Sequence, residues 1–260
     1  MNTTFQRSSE QAPVYELPSI HTLATTVQKN ISNMNVQSSP GFDPFSTSFI
    51  KHAEKTIQDD HGKRHTEHVL LPLFKDLFHL FLSDGVPPHL WNRVKNTPVH
   101  KKGPTTSPKN YRLLAINGYI YKLFANVVRD LLTDWALAEH QKPDSQFGFC
   151  PTRNTNQPLF ILRHILATAR KEKMKVYTAF LDLFAAYDSV PREKLWRHLY
   201  KIKTLQYLRD NIQTMYTGCL YLVVDGEKIS EEVAPNRGLK QGCPLSPLLY
   251  FFITMTWTNS

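Results

Sequence analysis

A short apolar stretch that ends on a single carboxylate constrains the fold of this chain most. Residues 177–183 have the sequence YTAFLDL, an almost unbroken apolar and aromatic run typical of a strand buried on both faces. An ionised carboxylate in such surroundings is costly unless a cation such as a metal ion offsets it. The run therefore predicts a buried strand that brings Asp182 to its C-terminal end, followed by a turn that holds Tyr187. The simpler alternative is a strand-edge aspartate that only makes a turn.

Other strings in the chain form an ordered set with this stretch. FLDL and AYDSVP (180–183 and 186–191) are followed by RGLKQGCPLSP (237–247) and preceded by KKG, NYR and QFGF (101–103, 110–112 and 146–149). Together they resemble the polymerase motifs of the reverse transcriptases of non-LTR (LINE-type) retrotransposons, from about residue 40 onwards. The resemblance implies an α+β fold, the fingers and partial palm of a right-hand polymerase.

The resemblance also implies catalytic and sugar-contacting residues. Asp182 would be the catalytic carboxylate and a ligand of Mg²⁺, with the main-chain carbonyl of Leu183 beside it. Tyr187 would pack beneath the incoming sugar and exclude a 2′-hydroxyl, although packing in the core is the simpler role for a tyrosine. Asp188 is assigned to the turn or to the start of the next helix.

Further residues would bind the nucleotide. Arg112 and Arg153 match positions that hold the triphosphate, because a planar guanidinium can contact phosphate through two N–H groups. Gln241 and Gly242 would lie against the nucleotide, since a glycine lets the backbone approach a base pair closely. The chain departs from the family pattern at three positions, where Cys150 replaces Arg, Thr152 replaces Gly and Leu113 replaces Pro.

The family's next motif, Tyr-x-Asp-Asp, supplies two more metal-binding carboxylates and does not occur in these 260 residues. One carboxylate cannot hold two metal ions, so we expect the chain by itself to be inactive as an RNA-directed DNA polymerase. The implied partners are an RNA template, a DNA primer and deoxynucleoside triphosphates. The alternative is a non-enzymatic, nucleic-acid-binding remnant of a retroelement. A maturase-like or telomerase-like polymerase is less favoured, because QGCPLSP is typical of non-LTR elements.

The positive charge of the chain is concentrated in one block. The chain has 31 Lys and Arg against 22 Asp and Glu, and residues 91–129 contain eight Lys or Arg and no acid. A block of one sign suits phosphate groups, and aromatic residues within it favour nucleic acid over a merely solvated face. The candidate contacts to the nucleic-acid backbone are Lys101, Lys102 and Lys109.

The three cysteines, Cys150, Cys219 and Cys243, have no paired spacing and indicate a reducing, intracellular setting in the cytoplasm and nucleus. The sequence has no signal for secretion and no apolar run of membrane-spanning length, so no membrane partner is expected. His61, His65 and His68 would share a helical face, but a metal site there is disfavoured because no cysteine or carboxylate clusters with them.

Patterning predicts the remaining organisation. Residues 1–38 would be a polar, loosely ordered lead-in with one short helix near 23–31, and 39–260 would be the partial reverse transcriptase domain. Residues 101–109 would form a flexible basic loop and 221–230 a hairpin with an Asp-Gly turn. The other predicted elements are helices at 45–83, Tyr119–Ala138, 155–171, 192–218 (one or two) and 245–257, and a strand at 91–98.

Overall fold

The structure is a computed structural model, which describes residues 17–43, 45–59, 61–85, 87–139, 141, 145–150 and 153–258. Its helices are α1 (Ile20–Ser32), α2 (Thr47–Lys51), α3 (Leu71–Asp84), α4 (Tyr119–Ala138), α5 (Asn156–Lys171), α6 (Arg192–Lys201), α7 (Gln206–Thr214) and α8 (Ser246–Thr258). Its strands are β1 (Glu54–Gln58), β2 (Arg64–His68), β3 (Arg93–His100), β4 (Tyr111–Ile116), β5 (Leu220–Asp225) and β6 (Lys228–Ile229).

The strands form a two-stranded hairpin and a mixed sheet. β1 and β2 pair with each other, and the larger sheet has the order β4-β3-β5-β6. β3 is antiparallel to β4 and parallel to β5, while β5 and β6 form the hairpin that the Asp-Gly turn predicts. Helices on a mixed sheet make an α+β fold, so the predicted fold class is confirmed.

The main core lies where α1, α3 and α4 pack together and against Trp91, just before β3. Its centre is aromatic, with ring centroids 5.2 Å apart for Phe78 and Phe124, 5.5 Å for Trp91 and Phe124, and 5.8 Å for Trp91 and Tyr121. α1 lies within the proposed lead-in, and its apolar face is part of this core through Leu23, Val27 and Ile31. The domain division at residue 39 stays a prediction.

The turn at residues 39–43 fixes the start of α4. A carboxylate oxygen of Asp43 accepts the N–H of Ile120 at 3.2 Å, which satisfies one of the unpaired N–H groups at the helix N-terminus. A Cβ on Gly41 would lie 2.5 Å from the backbone nitrogen of Gly118, so this approach requires glycine. The turn thus packs against residues 117–118, which join β4 to α4, and caps the first turn of this helix.

The helix predicted over residues 45–83 is wrong between α2 and α3. Only α2 and α3 are helical, and residues 54–68 form the β1–β2 hairpin around Gly62 at φ 76°. The apolar stripe that motivated the prediction is confined to α3, whereas 54–68 are mostly exposed and polar. The three histidines therefore share no helical face, and the Nε2 atom of His68 lies 2.8 Å from the carbonyl oxygen of Ile50.

The buried strand predicted at residues 177–183 is also wrong. The segment is not assigned to a strand, and Tyr177, Phe180, Leu181 and Phe184 are 83–94% exposed. The physical reason is that no strand of the described residues pairs with this segment, so its backbone and apolar side chains stay unpartnered. Asp182 is exposed as well, and the argument from the cost of a buried carboxylate does not apply here.

The remaining elements follow the patterns that predicted them. The helix at Tyr119–Ala138 has the predicted bounds, and α5, α8 and β3 differ from the predicted bounds by at most two residues at each end. Residues 192–218 form two helices, α6 and α7, and the three cysteines are free. Among the described residues no helix is both long and apolar enough to cross a membrane.

Candidate functional site

Two segments that are far apart in the sequence, 187–190 and 238–239, are joined by backbone hydrogen bonds. The N–H of Leu239 donates to the carbonyl of Tyr187 and the N–H of Gly238 donates to the carbonyl of Val190, both at 2.8 Å. Gly238 has φ 90°, and a Cβ there would lie 2.9 Å from the carbonyl oxygen of Asp188. The structure thus brings the AYDSVP and RGLKQGCPLSP motifs into direct contact.

Gln241 links these two motifs to the sheet. Its side-chain amide donates to the Asp188 carboxylate at 2.9 Å, and its carbonyl accepts the N–H of Ala115 on β4 at 2.6 Å. Asp188 therefore connects the two motifs and does not cap α6, which has Pro191 at its N-cap. The predicted contact of Gln241 with a nucleotide stays a prediction.

Gly242 packs closely against β4. Its φ is 114°, and a Cβ at this position would lie 2.6 Å from the carbonyl oxygen of Ala115. Both the backbone conformation and the space require glycine. The packing against β4 is enough to explain a glycine at this position. The predicted approach of Gly242 to a base pair stays a prediction.

Gly242→Ala is expected to lower the free energy of unfolding by about 3 kcal/mol, because strain and a clash with backbone add together. Gly226→Ala is the matched control, since Gly226 has φ 59° and a methyl group added there would meet only open space within 4 Å, so it should cost only about 1 kcal/mol. Urea unfolding of both variants measures the difference. Equal losses would show that the β4 contact adds nothing to backbone strain.

Tyr187 and Tyr250 form the aromatic part of the site. Their rings are stacked with centroids 5.1 Å apart and planes 25° apart. Partial burial raises the pKa of both hydroxyls, and the negative charge of Asp182 raises the pKa of Tyr250 further. Asp182, Tyr187 and Tyr250 therefore share one surface. Tyr250 was missed in the sequence because it lies in the apolar run that becomes α8. In such a run a tyrosine is expected to pack in the core, and only its hydroxyl group indicates a different role.

The basic candidates occupy the β3–β4 hairpin. Lys101, Lys102, Lys109 and Arg112 are all exposed. The loop that joins the strands is cross-linked by hydrogen bonds, from the Lys101 N–H to the Asn110 carbonyl at 2.8 Å and from the Asn110 side chain and the Tyr111 hydroxyl to other loop carbonyls. These bonds give the loop a defined conformation, and its flexibility stays a prediction. The hairpin is a shaped basic surface, and its strand β4 is the one that contacts Gln241.

Arg153 lies in the loop that leads into α5. Its Nη1 atom donates to the carbonyl of Gln146 at 2.8 Å, and its guanidinium lies 5.9 Å from the centre of the Phe147 ring. Both contacts are within the motif that predicted it. Thr152 lies outside the described residues, and Cys150 directly follows the turn at residues 148–149.

Arg192 at the start of α6 was not singled out in the sequence. Its Nε and Nη1 atoms donate to the carbonyls of Gly238 and Pro235 at 2.8 and 2.9 Å, and its guanidinium lies 5.2 Å from the centre of the Tyr216 ring. It holds the 235–238 segment against the start of α6 and against Tyr216, which follows α7. Its position directly after Pro191 was the only available signal, because an arginine in a first helical turn is otherwise ordinary.

Lys240 was also missed, because a lysine between two motif residues is normally solvated. It is 1% exposed, and its Nζ atom donates to the Tyr121 hydroxyl at 3.2 Å and to the Met215 carbonyl at 2.8 Å. Burial lowers its pKa and Arg192 lowers it further, whereas Cys219 and Cys243 act in the opposite direction. The same burial raises the pKa of the two tyrosines against it, Tyr121 and Tyr216.

The lowered pKa of Lys240 predicts a pH-dependent stability. Between its folded pKa and the ordinary value of 10.5 the unfolded chain binds more protons, so unfolding becomes less favourable as pH rises. The unfolding free energy of the wild type minus that of Lys240→Met should therefore increase towards pH 10.5, by at most about 1.4 kcal/mol per pH unit. Urea unfolding at several pH values measures this difference. A difference that stays constant up to about pH 10 would contradict it.

Comparison with known proteins agrees with the motifs. Residues 99–258 match the family described as "Reverse transcriptase (RNA-dependent DNA polymerase)". The chain is 29% identical over 82% of its length to "Transposon TX1 uncharacterized 149 kDa protein" of Xenopus laevis, and 28% over 67% to "RNA-directed DNA polymerase from mobile element jockey" of Drosophila melanogaster. It is 23% identical over 90% of its length to the Pol polyprotein of the R2 element of Nasonia vitripennis.

The chain spans 15%, 19% and 22% of the length of these three relatives, in the same order. The match covers more than half of the chain and includes β4, the 146–153 loop, the Asp182 segment and the 237–247 motif. The resemblance inferred from the motifs, to the enzymes of non-LTR retrotransposons, is confirmed. The chain belongs to the reverse transcriptase family.

Proposed function

We propose that this chain is the nucleotide-selecting part of an RNA-directed DNA polymerase of a non-LTR retrotransposon. The observation that supports this most is the junction of residues 187–190 with 238–242, which lies beside Asp182 and the Tyr187–Tyr250 stack. Both strings at this junction are polymerase motifs, and the exposed Asp182 carboxylate lies near enough to Tyr250 to raise the pKa of its hydroxyl. The substrates would be deoxynucleoside triphosphates, added to a DNA primer on an RNA template.

Each side chain would have a separate task in nucleotide binding. Tyr187, supported from behind by Tyr250, would lie beneath the sugar and leave no room for a 2′-hydroxyl. Arg112 and Arg153 would hold the triphosphate, since a guanidinium suits phosphate geometry. The lysines of the β3–β4 hairpin would contact the nucleic-acid backbone without reading its sequence.

The residues present fit Mg²⁺ in type. The exposed Asp182 carboxylate and the main-chain carbonyl of Leu183 are oxygen donors, which Mg²⁺ prefers while it keeps several of its waters. The described residues contain no group of three or more His, Cys, Asp or Glu side chains that could hold a metal ion. Two ions therefore need carboxylates beyond Asp182, and when bound they would stabilise the attacking and leaving oxygens of phosphoryl transfer.

A direct experiment is to fuse the segment of a relative that carries Tyr-x-Asp-Asp and the thumb after residue 260. The fusion should extend a DNA primer on an RNA template with Mg²⁺ and deoxynucleotides, and the 260-residue polypeptide should not. A folded fusion without any primer extension would contradict the proposal. Extension by the unfused polypeptide would show that the chain recruits its carboxylates in another way.

The second candidate is nucleic-acid binding without catalysis, and the exposed, hydrogen-bonded basic hairpin favours it. Each phosphate contact releases counterions, so affinity for a primed template should fall steeply as salt rises. Changing Lys101, Lys102 and Lys109 together to Ala is expected to reduce the slope of log affinity against log salt by about 2–3. Fluorescence anisotropy at several salt concentrations measures this slope.

The matched control changes three other exposed lysines, Lys63, Lys194 and Lys228, to Ala. It removes the same charge from the chain and should change the slope much less. If both triple variants behave alike, binding follows net charge and the hairpin is no specific surface. If neither changes the slope, the hairpin does not touch phosphate.

A further inference from the structure

Lys240 is buried, and its hydrogen-bond acceptors are neutral. Its Nζ atom lies 4.5 Å from the centre of the Tyr121 ring and 5.2 Å from that of Tyr216, and it donates to the Tyr121 hydroxyl and the Met215 carbonyl. Among the described residues no carboxylate lies within salt-bridge distance of it. A buried amine without an acid is costly, whereas an apolar side chain of the same length would fill this space at no such cost.

The two partners of Lys240 belong to separate parts of the core. Tyr121 lies on the first turn of α4, where it packs edge-on against Trp91 with ring centroids 5.8 Å apart. Met215 is the C-cap residue of α7, so its carbonyl is at the negative end of a helix dipole and attracts a donor. The side chain of Lys240 therefore ties its own segment to two rigid elements beneath the site.

The residues on either side of Lys240 hold the site. Leu239 donates its N–H to the carbonyl of Tyr187, and Gln241 contacts both the Asp188 carboxylate and the Ala115 N–H. In this short irregular segment the side chain of Lys240 therefore points inward and anchors the backbone to the core. Its neighbours Leu239 and Gln241 make the hydrogen bonds to Tyr187 and Asp188. A shift of Lys240 would move Leu239 and, through its hydrogen bond, the backbone of Tyr187.

We propose that Lys240 is a positioning residue of the nucleotide site, which fixes segment 238–242 from within the core and so fixes the Tyr187 ring against which the sugar is selected. Its effect on the sugar rests on the proposed function, whereas its effect on the position of Tyr187 does not. Lys240 touches neither nucleotide nor metal in this role. Nothing in its chemistry takes part in phosphoryl transfer.

The first measurement uses the 260-residue chain and needs no activity. In Lys240→Met, hydrogen exchange of the Leu239 amide should become about tenfold faster, while amides in the middle of α4 keep their protection. Val27→Ala, a buried change on α1, is the control that weakens the core without touching the segment. If Lys240→Met does not fold, Tyr121→Phe, which removes one acceptor of Lys240 and the hydroxyl contact to the Cys243 Sγ atom, should act in the same direction.

The second measurement uses the active fusion. Lys240→Met should raise ribonucleotide use relative to deoxynucleotide use by about tenfold, a smaller loss of selectivity than that expected for Tyr187→Ala. Lys240→Arg keeps a hydrogen-bond donor and should retain most of the selectivity. Faster Leu239 exchange with unchanged sugar selectivity would overturn the proposal and leave Lys240 a structural residue. Unchanged exchange in a folded Lys240→Met would overturn it as well. An inactive fusion would reject the proposed function, and exchange would then still decide whether Lys240 positions Tyr187.

Discussion

Asp182→Asn is expected to lower primer extension by about a thousandfold or more in the fusion that supplies Tyr-x-Asp-Asp and the thumb after residue 260. A carboxylate that holds a catalytic metal contributes several kcal/mol to the stabilisation of transition-state charge, and each 1.4 kcal/mol is about tenfold in rate. Asn keeps the size of the side chain and one oxygen but loses the charge. Because Asp182 is exposed and lies outside every strand, the change should not affect folding of the chain.

The matched control is Asp134→Asn, the same chemical change at an exposed position of α4. It should leave the rate and the Mg²⁺ requirement as they are in the parent fusion. Single-turnover extension at saturating nucleotide, measured over a range of Mg²⁺ concentrations, separates loss of metal binding from loss of nucleotide binding. Comparable activity of Asp182→Asn and the parent would remove Asp182 from the metal site.

The sequence predicted an element correctly where its local pattern and its packing in the whole fold favour the same structure. The period of apolar residues predicted α4 to the residue, because a helix of this length buries one continuous stripe. The resemblance assigned Tyr187, Gln241 and Gly242 to the same nucleotide, and the hydrogen bond from Leu239 to Tyr187 joins the two strings that carry these residues. The Asp-Gly turn predicted the β5–β6 hairpin, since its residues select the turn type.

The sequence could not show which elements find a partner. Residues 177–183 have the composition of a buried strand, but a strand is buried only if neighbours cover it, and composition does not report neighbours. The same limit hid Lys240, whose burial depends on Tyr121 and Met215, 119 and 25 residues away. The contact of Gly242 with the carbonyl of Ala115 was hidden in the same way, because the two residues are 127 positions apart in the sequence.

The position of Tyr187 is determined on both sides. Its backbone carbonyl is held by Leu239, and its ring lies on Tyr250 at a centroid distance of 5.1 Å and an angle of 25°. A ring that is fixed in this way cannot move aside for a larger sugar. Exclusion of a 2′-hydroxyl would then be steric and would not depend on the tyrosine hydroxyl itself.

Tyr187→Ala in the active fusion is therefore expected to raise ribonucleotide use relative to deoxynucleotide use by orders of magnitude, because it opens the space that the ring fills. Tyr187→Phe is the matched control: it keeps the ring, loses only the hydroxyl and should retain the selectivity of the parent. Arg153→Ala should weaken the binding of ribonucleotide and deoxynucleotide alike, by about 1.5–3 kcal/mol, if Arg153 holds the triphosphate and not the sugar. Competition between ribonucleotide and deoxynucleotide in single-nucleotide extension measures all three. If Tyr187→Ala leaves the sugar selectivity of an active fusion unchanged, the stack with Tyr250 only stabilises the junction of the two motifs. If Tyr187→Phe changes the sugar selectivity, the tyrosine hydroxyl and not the ring selects the sugar.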